Sequence, residues 1–424
     1  MKLIIGFGKT GLSAARYFER NNVPYAINDS RELPPCLSQC DSKVTVVTGK
    51  FSPALIKKAE EIILTPGISP KLPEFEGAQE KIINDIELFA REAQAPVIAV
   101  TGSNGKTTVT SLTAAMLQSA GYRVLVGGNI GTPVLDLLEE PTPDFYVLEL
   151  SSFQLAHIKS LKTKAAVVLN ISEDHLDYHQ TMEHYIQTKC RVYEHCQYAV
   201  VNLDDNYLVN QTIGFSETKH PGQFGLESGV LFFGDTRICD MSDLQIKGKH
   251  NALNALAALA LCYAAGVPWM SVLPGLKSFK GIPHRCEVVA KINDVQWIND
   301  SKGTNVAATI AALDGLSSAV DGRILLIAGG KGKGADFHPL GMVGKYKIAH
   351  VFLIGESAKL LEEVFMPDVE VTHCERLEDA VHKAHAMAMP HDAVLLSPAC
   401  ASFDMFENYE ARGDAFKAAV RTLV

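Results

Sequence analysis

The chain lacks several features that would point elsewhere. No Cys-x-x-Cys pair occurs among its nine cysteines. An odd number cannot all pair, so reduced thiols in a cytoplasmic protein are the expectation. Positive charge is scarce: 39 Lys and Arg face 48 Asp and Glu, a formal net charge of −9. Nucleic acid is therefore not expected as a partner, because duplex binding rests on a basic surface. Long apolar runs are missing too. The richest alanine and leucine stretch, residues 252–266, falls short of the ~20 residues of a membrane helix and reads as a buried helix, so no membrane insertion is expected. The opening Met1-Lys2-Leu3-Ile4-Ile5-Gly6 is too brief an apolar run for a signal peptide. There is no short repeat and no low-complexity tract. What remains is an ordinary globular balance, 47% hydrophobic and 21% charged, which excludes wholesale disorder.

The most informative stretch is Thr101-Gly102-Ser103-Asn104-Gly105-Lys106-Thr107-Thr108. An apolar run, Pro96-Val97-Ile98-Ala99-Val100, enters it as a buried strand, and residues 109–120 leave it as a helix. Strand, glycine-rich turn and helix N-terminus make a phosphate cradle. The glycines let backbone amides approach phosphate oxygens, and the helix dipole favours negative charge. Lys106 is expected to reach the β- and γ-phosphates and the Thr107 hydroxyl to ligate Mg²⁺. Val100 stands where the common G-x-x-x-x-G-K-[ST] pattern has its first glycine. An ordinary glycine-rich turn is the bland alternative. The Gly-Lys-Thr core in this context favours ATP.

Two further α/β regions flank this one. Leu3-Ile4-Ile5 leads into Gly6-Phe7-Gly8-Lys9-Thr10-Gly11, a helix to about residue 20, and a strand Tyr25-Ala26-Ile27-Asn28 ending at Asp29. This is a βαβ start with the G-x-G-x-x-G spacing. Thr65-Pro66-Gly67-Ile68 follows another strand, where open α/β sheets place ligands. Boundaries are expected at Gln94-Ala95-Pro96 and Gly281-Ile282-Pro283. The fold class expected is α/β with three domains. These are a Rossmann-like domain over residues 1–92, a central P-loop domain over 93–282 and a Rossmann-like domain over 283–424. The central sheet should be parallel, with a small antiparallel sheet at residues 210–247.

Polar groups cluster after several strands. Glu149, at the C-terminal end of one, is placed to hold Mg²⁺; a solvated edge charge is the alternative. His175 and His179 stand four apart, a hint of zinc that no third ligand supports. Lys189, in a helix expected over residues 182–196, would pass as a surface residue on its own. Asn299-Asp300-Ser301-Lys302-Gly303-Thr304-Asn305 and Gly329-Gly330-Lys331-Gly332-Lys333-Gly334 put lysines in glycine-rich turns, which suits carboxylates and phosphates.

With these motifs go Gly127-Gly128-Asn129-Ile130-Gly131, Glu149-Leu150-Ser151-Ser152-Phe153-Gln154-Leu155, Glu173-Asp174-His175-Leu176-Asp177, His250-Asn251-Ala252-Leu253-Asn254-Ala255, Pro283-His284-Arg285 and Leu396-Ser397-Pro398-Ala399-Cys400-Ala401-Ser402-Phe403-Asp404. In this order they resemble the Mur ligases, ATP-dependent amide-forming enzymes of bacterial peptidoglycan synthesis. The resemblance covers essentially the whole chain. It implies addition of D-glutamate to UDP-N-acetylmuramoyl-L-alanine through an acyl phosphate, by a monomer.

It also assigns residues. Gly102, Ser103, Asn104, Gly105, Lys106, Thr107 and Thr108 would cradle ATP, with Asn251, Asn254, Arg285 and Asp300 as further contacts. Thr107 and Glu149 would hold a first Mg²⁺, and His175 with Lys189, as its carbamate, a second. Lys106, Glu149, His175 and Lys189 would be catalytic. Lys302, Thr304, Lys333, Ser402 and Phe403 would bind D-glutamate, and Asn129 the muramoyl part. Thr10, Asp29, Ser30 and Arg31 would bind the UDP part. Departures are small: Lys9 stands before Thr10 where the family often has an apolar residue, and Lys331 adds a charge to its turn.

Rival readings are an NAD-dependent oxidoreductase built on Gly6, Gly8, Gly11 and Asp29, a non-catalytic P-loop regulator, and a folylpolyglutamate synthase-like ligase. The paired lysine turns count against the regulator. The short first domain and Ser402-Phe403-Asp404 count against the folate-type ligase.

Overall fold

A computed structural model describes residues 1–205, 212–246, 248–317 and 320–423. Contacts divide the chain into two units, Met1–Asp240 with Leu253–Ser278, and Met241–Ala252 with Phe279–Val424.

The first unit carries two sheets. The five-stranded one runs in the order Thr45–Val47, Tyr25–Asn28, Lys2–Ile5, Glu61–Leu64, Ile82–Ile83, all parallel. Its central strand is buried on both faces, which is why Leu3, Ile4 and Ile5 read as a continuous apolar run. The strand passes through Gly6, at φ 88°, into the helix Lys9–Arg20. A side chain on Gly11 would run into the Gly6 carbonyl, so only glycine lets the helix pack this close.

The second sheet has nine strands. Val97–Thr101 lies third from one edge, between Thr163–Val168 and Phe145–Glu149, all parallel. The expected antiparallel segment is present, but as an edge of this same sheet. Thr212–Ser216 pairs parallel with Phe224–Glu227, and only then do Val230–Phe233 and Thr236–Asp240 turn antiparallel. Residues 210, 211 and 247 of that expectation lie outside the described residues.

In the second unit, Glu287–Ile292 and Val295–Asn299 form a hairpin. It leads into the parallel strands Ala393–Leu396, Ile324–Gly329, Ile348–Ile354 and Glu370–His373.

Some boundaries move. The phosphate-loop helix begins at Lys106 and ends at Ser119, before Gly121 at φ 91°. The apolar helix is Lys249–Ala264. The helix expected over residues 182–196 is Met182–Cys190 followed by a tighter turn, Arg191–Tyr193. The Tyr193 hydroxyl accepts from Val168 N at 2.8 Å and donates to Val200 O at 2.8 Å, which turns the chain into the strand Cys196–Asn202.

The helix Asp85–Glu92 joins the two halves of the first unit. Asn84 donates to Gln154 O at 2.6 Å, and Glu87 accepts from Lys159 N, Ser160 N and Ser160 Oγ at 2.7–2.9 Å. Beside them Asp85 is buried with Oδ1 lacking a partner, and burial pushes its carboxyl up to about 6. A carboxyl raised in the fold stabilises below its unfolded value and loses that contribution as pH rises through about 6. At 1.36 kcal/mol per unit the loss is up to ~3 kcal/mol. Thermal unfolding of the parent should therefore show stability falling between about pH 4 and 6, and Asp85→Asn should flatten that fall. An unchanged slope would refute this.

Candidate active site

The phosphate turn is stitched to the loop after the neighbouring strand. Ser103 N donates to Asn170 O at 2.9 Å and Asn104 N to Asn170 Oδ1 at 2.8 Å. Ser103 Oγ donates to Ser172 O at 3.0 Å. This lies where open sheets bind ligands, at the C-terminal ends of strands whose connections diverge. Gly105 takes φ 82° ahead of the helix. A Cβ there would stand 2.6 Å from Asn254 Oδ1, so Asn254 lies against the turn. Thr107 is buried at the helix start, and the buried Thr108 hydroxyl lacks a protein partner.

Lys106 folds back on its own turn, donating to Gly102 O at 2.8 Å and Ser103 O at 2.7 Å. Lys189 reaches the same Gly102 oxygen, also at 2.8 Å. The family-implied role of Lys189 thus has a buried position to act from: it is 2% exposed and lies over the Tyr185 ring. Burial, then the nearby Lys106, holds its amine well below the usual lysine range, against the opposing pull of Asp174 and Glu149. Glu149 is 2% exposed. Asn129 donates to its Oε1 at 2.8 Å, and Oε2 is buried without a partner. An orphaned carboxylate oxygen beside a phosphate turn suits a cation.

His175 and His179 part company. His175 is exposed, with its backbone left-handed at φ 53°, and its ring meets Phe153 and Asp174. His179 turns inward to Ser152 Oγ at 2.9 Å and His184 Nδ1 at 3.2 Å. Burial, then His184, lowers its pKa to about 4. One ring is exposed and the other is buried against Ser152 and His184, so the zinc hint from their spacing fails. Among the described residues, no three His, Cys, Asp or Glu side chains are arranged to hold a metal ion.

Within the first domain, Asp29 is buried and its oxygens are taken. Oδ2 accepts from Phe7 N at 2.7 Å and Arg31 Nη2 at 2.6 Å, and Oδ1 accepts from Arg31 N and Nε at 2.9 Å. Burial works to raise its carboxyl, but these bonds leave it below the usual range. Thr10 is half-buried in the first helix, and Ser30 and Arg31 are exposed.

Asn251, Arg285, Asp300, Lys302, Thr304, Lys333, Ser402 and Phe403 belong to the second unit. Asp300 is buried and accepts from Ser397 Oγ at 2.7 Å and Cys286 N at 3.2 Å. Burial pushes its carboxyl up to about 6 against the pull of Arg285, whose Nε is buried without a partner. Lys302 lies over the Tyr409 ring at 5.1 Å, and Lys333 over the Phe403 ring at 5.5 Å. Thr304 is exposed and Ser402 buried. Arg412, buried in the helix Tyr409–Arg421, donates to Ser301 O at 2.9 Å and Cys400 O at 3.1 Å. It thereby ties the loop of Lys302 to the loop of Ser402.

The sequence does not single out Tyr185, Tyr409 or Arg412. A lone Tyr or Arg carries no spacing signal. Their partners lie as far as 111 residues away, as for Arg412 with Ser301.

Family models match each third of the chain: "Mur ligase MurD-like, N-terminal domain" over residues 1–87, "Mur ligase middle domain" over 100–262, and "Mur ligase, glutamate ligase domain" over 284–400. The chain belongs to the Mur ligase family, with three α/β domains each built on one sheet. It is 45% identical over 441 residues to the UDP-N-acetylmuramoylalanine--D-glutamate ligase of Coxiella burnetii, covering 100% of this chain and 99% of that one. The protein of the same name from Acinetobacter baylyi is 44% identical, covering 100% and 98%. The solved MurF ligase from Thermotoga maritima in complex with ADP shares the fold, at a TM-score of 0.65 and 18% identity over 100% and 95% of the chains.

Proposed function

We propose that this chain is an ATP-dependent ligase that adds D-glutamate to UDP-N-acetylmuramoyl-L-alanine in peptidoglycan precursor synthesis. The observation that carries the reading is the phosphate turn with Glu149 Oε2 left unpartnered and Lys106 and Lys189 sharing one carbonyl. Likeness over the full length to ligases named for this reaction supports it.

A carboxylate is a poor electrophile, so ATP must activate it. The alanyl carboxylate oxygen attacks the γ-phosphorus and ADP leaves. The amine of D-glutamate then attacks the acyl carbonyl, phosphate leaves, and the amine sheds a proton. Gly102, Ser103, Asn104, Gly105, Thr107 and Thr108 hold the phosphates by amides and hydroxyls, and Lys106 leaves its own carbonyls to neutralise them. Asn251, Asn254, Arg285 and Asp300 bind the rest of ATP. Thr107 and Glu149, and His175 with Lys189 as its carbamate, would hold Mg²⁺ ions that offset the charge gathered when carboxylate meets phosphate. Asn129 orients Glu149 and meets the muramoyl part. Phosphate release with ATP and the UDP-linked acceptor, scanned across amino acids, tests the whole. Best turnover with an amino acid other than D-glutamate would overturn it.

Lys302, Thr304, Lys333, Ser402 and Phe403 bind D-glutamate in this reading. Lys333→Ala should raise the KM for D-glutamate by about a hundredfold, as expected when a charged pair is lost, and that for ATP by less than about twofold. Equal rises would sink the assignment.

The first domain binds the UDP part through Thr10, Asp29, Ser30 and Arg31. A Rossmann acid must be free for the NAD ribose, whereas Asp29 is saturated by Phe7 and Arg31, which favours UDP. Calorimetry on the full chain should show heat with UDP-sugar and none with NAD. The reverse would return the oxidoreductase reading. The domains divide at residues 92/93 and 282/283.

The chain acts as a monomer, with ATP, Mg²⁺ and the two substrates as its partners. The odd count of nine cysteines and the lack of a Cys-x-x-Cys pair support a reducing cytoplasm. Among the described residues no helix is long and apolar enough to cross a membrane.

A further inference from the structure

The turn that presents Lys333 is held from outside itself. Lys333 has a left-handed backbone at φ 53°, which a lysine keeps only where its surroundings impose it. Gly332 N donates to Ser357 Oγ at 2.9 Å, and Ser357 N donates back to Gly330 O at 3.0 Å. A Cβ on Gly332 would stand 2.7 Å from Ser357 Oγ and 3.0 Å from the Phe337 ring, so the turn lies flat on both. On its other side Lys331 and Ala401 exchange backbone bonds at 2.9 and 3.0 Å. Asp404 Oδ2 accepts from Glu356 N at 2.9 Å, bringing the segment before Ser357 onto the loop of Ser402 and Phe403. Ser357 is 4% exposed, and its hydroxyl faces the buried Cys400 thiol. It therefore reaches no solvent, and its partners are the Gly332 amide and the Cys400 thiol.

We infer that Ser357 is a positioning residue for amino-acid recognition. Its hydroxyl seats the Gly332 amide and so sets where the Lys333 ammonium meets a substrate carboxylate. The inference rests on the reading that Lys333 binds D-glutamate. It adds a residue that touches neither substrate nor ATP and that no motif marks. Alanine at Ser357 would leave the half-buried Gly332 amide without its acceptor, and the turn would relax toward ordinary φ values.

The test is steady-state kinetics on Ser357→Ala, Ser357→Thr and Lys333→Ala in the full chain, with thermal unfolding of each. Ser357→Ala should raise the KM for D-glutamate about tenfold, as one lost hydrogen bond allows. Its kcat at saturation, its KM for ATP and its Tm should stay near the parent values. Ser357→Thr, which keeps the hydroxyl, should restore the KM. If Lys333→Ala raises the KM and Ser357→Ala does not, the positioning role is refuted. The same holds if Thr fails to restore it, or if Ser357→Ala lowers Tm and raises both KM values together. If Lys333→Ala leaves the KM for D-glutamate unchanged, the failure belongs to the underlying reading of Lys333.

Discussion

Lys189→Ala is expected to cut ligation by about a thousandfold, the scale on which loss of one preorganised charge-stabilising group is felt. An unperturbed lysine is a cation near neutral pH, with a pKa of about 10.4. Burial and the neighbouring Lys106 push this one far down, and a neutral amine is free to add CO₂. The nitrogen lone pair bonds the carbon, one proton leaves, and the product is an anionic carbamate, a hard oxygen donor suited to Mg²⁺. The alanine variant leaves room for a small carboxylate, so formate should partly restore turnover. Lys189→Arg should fail as well, because a guanidinium stays cationic and forms no carbamate. Isotope-labelled bicarbonate followed by NMR gives a readout apart from activity: a carbamate signal in the parent and none in either variant. Near-normal turnover of either variant, or a parent without the signal, would reject the role.

The second large effect is expected at Glu149. Its Oε2 is buried without a partner while Oε1 is held by Asn129. Leaving a carboxylate oxygen so placed costs free energy unless a cation completes it. Glu149→Gln keeps the shape and the Asn129 contact but removes the charge. The Mg²⁺ concentration for half-maximal activity should rise more than about tenfold, and kcat should fall by about two to three orders of magnitude. Calorimetry should show nucleotide binding that no longer strengthens when Mg²⁺ is added. A parent-like Mg²⁺ requirement would show that Glu149 is only a buried structural acid.

Much of this site was legible in the amino-acid order. The strand, the turn with Gly102 and Gly105, and the helix from Lys106 follow from local chemistry. Amides must crowd around a phosphate, Gly105 sits at φ 82°, and an apolar run must enter from a parallel sheet. The same holds for Gly6 and Gly11, and for the lysine turns of the third domain. The ordered set of motifs then pointed to the family, and with it to roles for Lys189 and Asn129 that neither residue would suggest alone.

Other features only the tertiary structure decided. His175 and His179 share a helical spacing, yet packing against Ser152 and His184 turns His179 inward. Lys189 reads as a solvated helix residue until the fold buries it against Gly102 O, 87 residues away. Glu149 becomes a candidate metal ligand through the oxygen that Asn129 leaves unpartnered. The antiparallel strands extend the central sheet because Thr212–Ser216 carries it on in parallel first. Ser357 and Arg412 acquire meaning from loops that only the folded second unit brings beside them. The division has one physical reason. Turn chemistry and strand periodicity act over a few neighbouring residues and are written in their order. Burial, lost solvation and the direction of a carbonyl arise from segments many residues apart, and exist only once those segments pack.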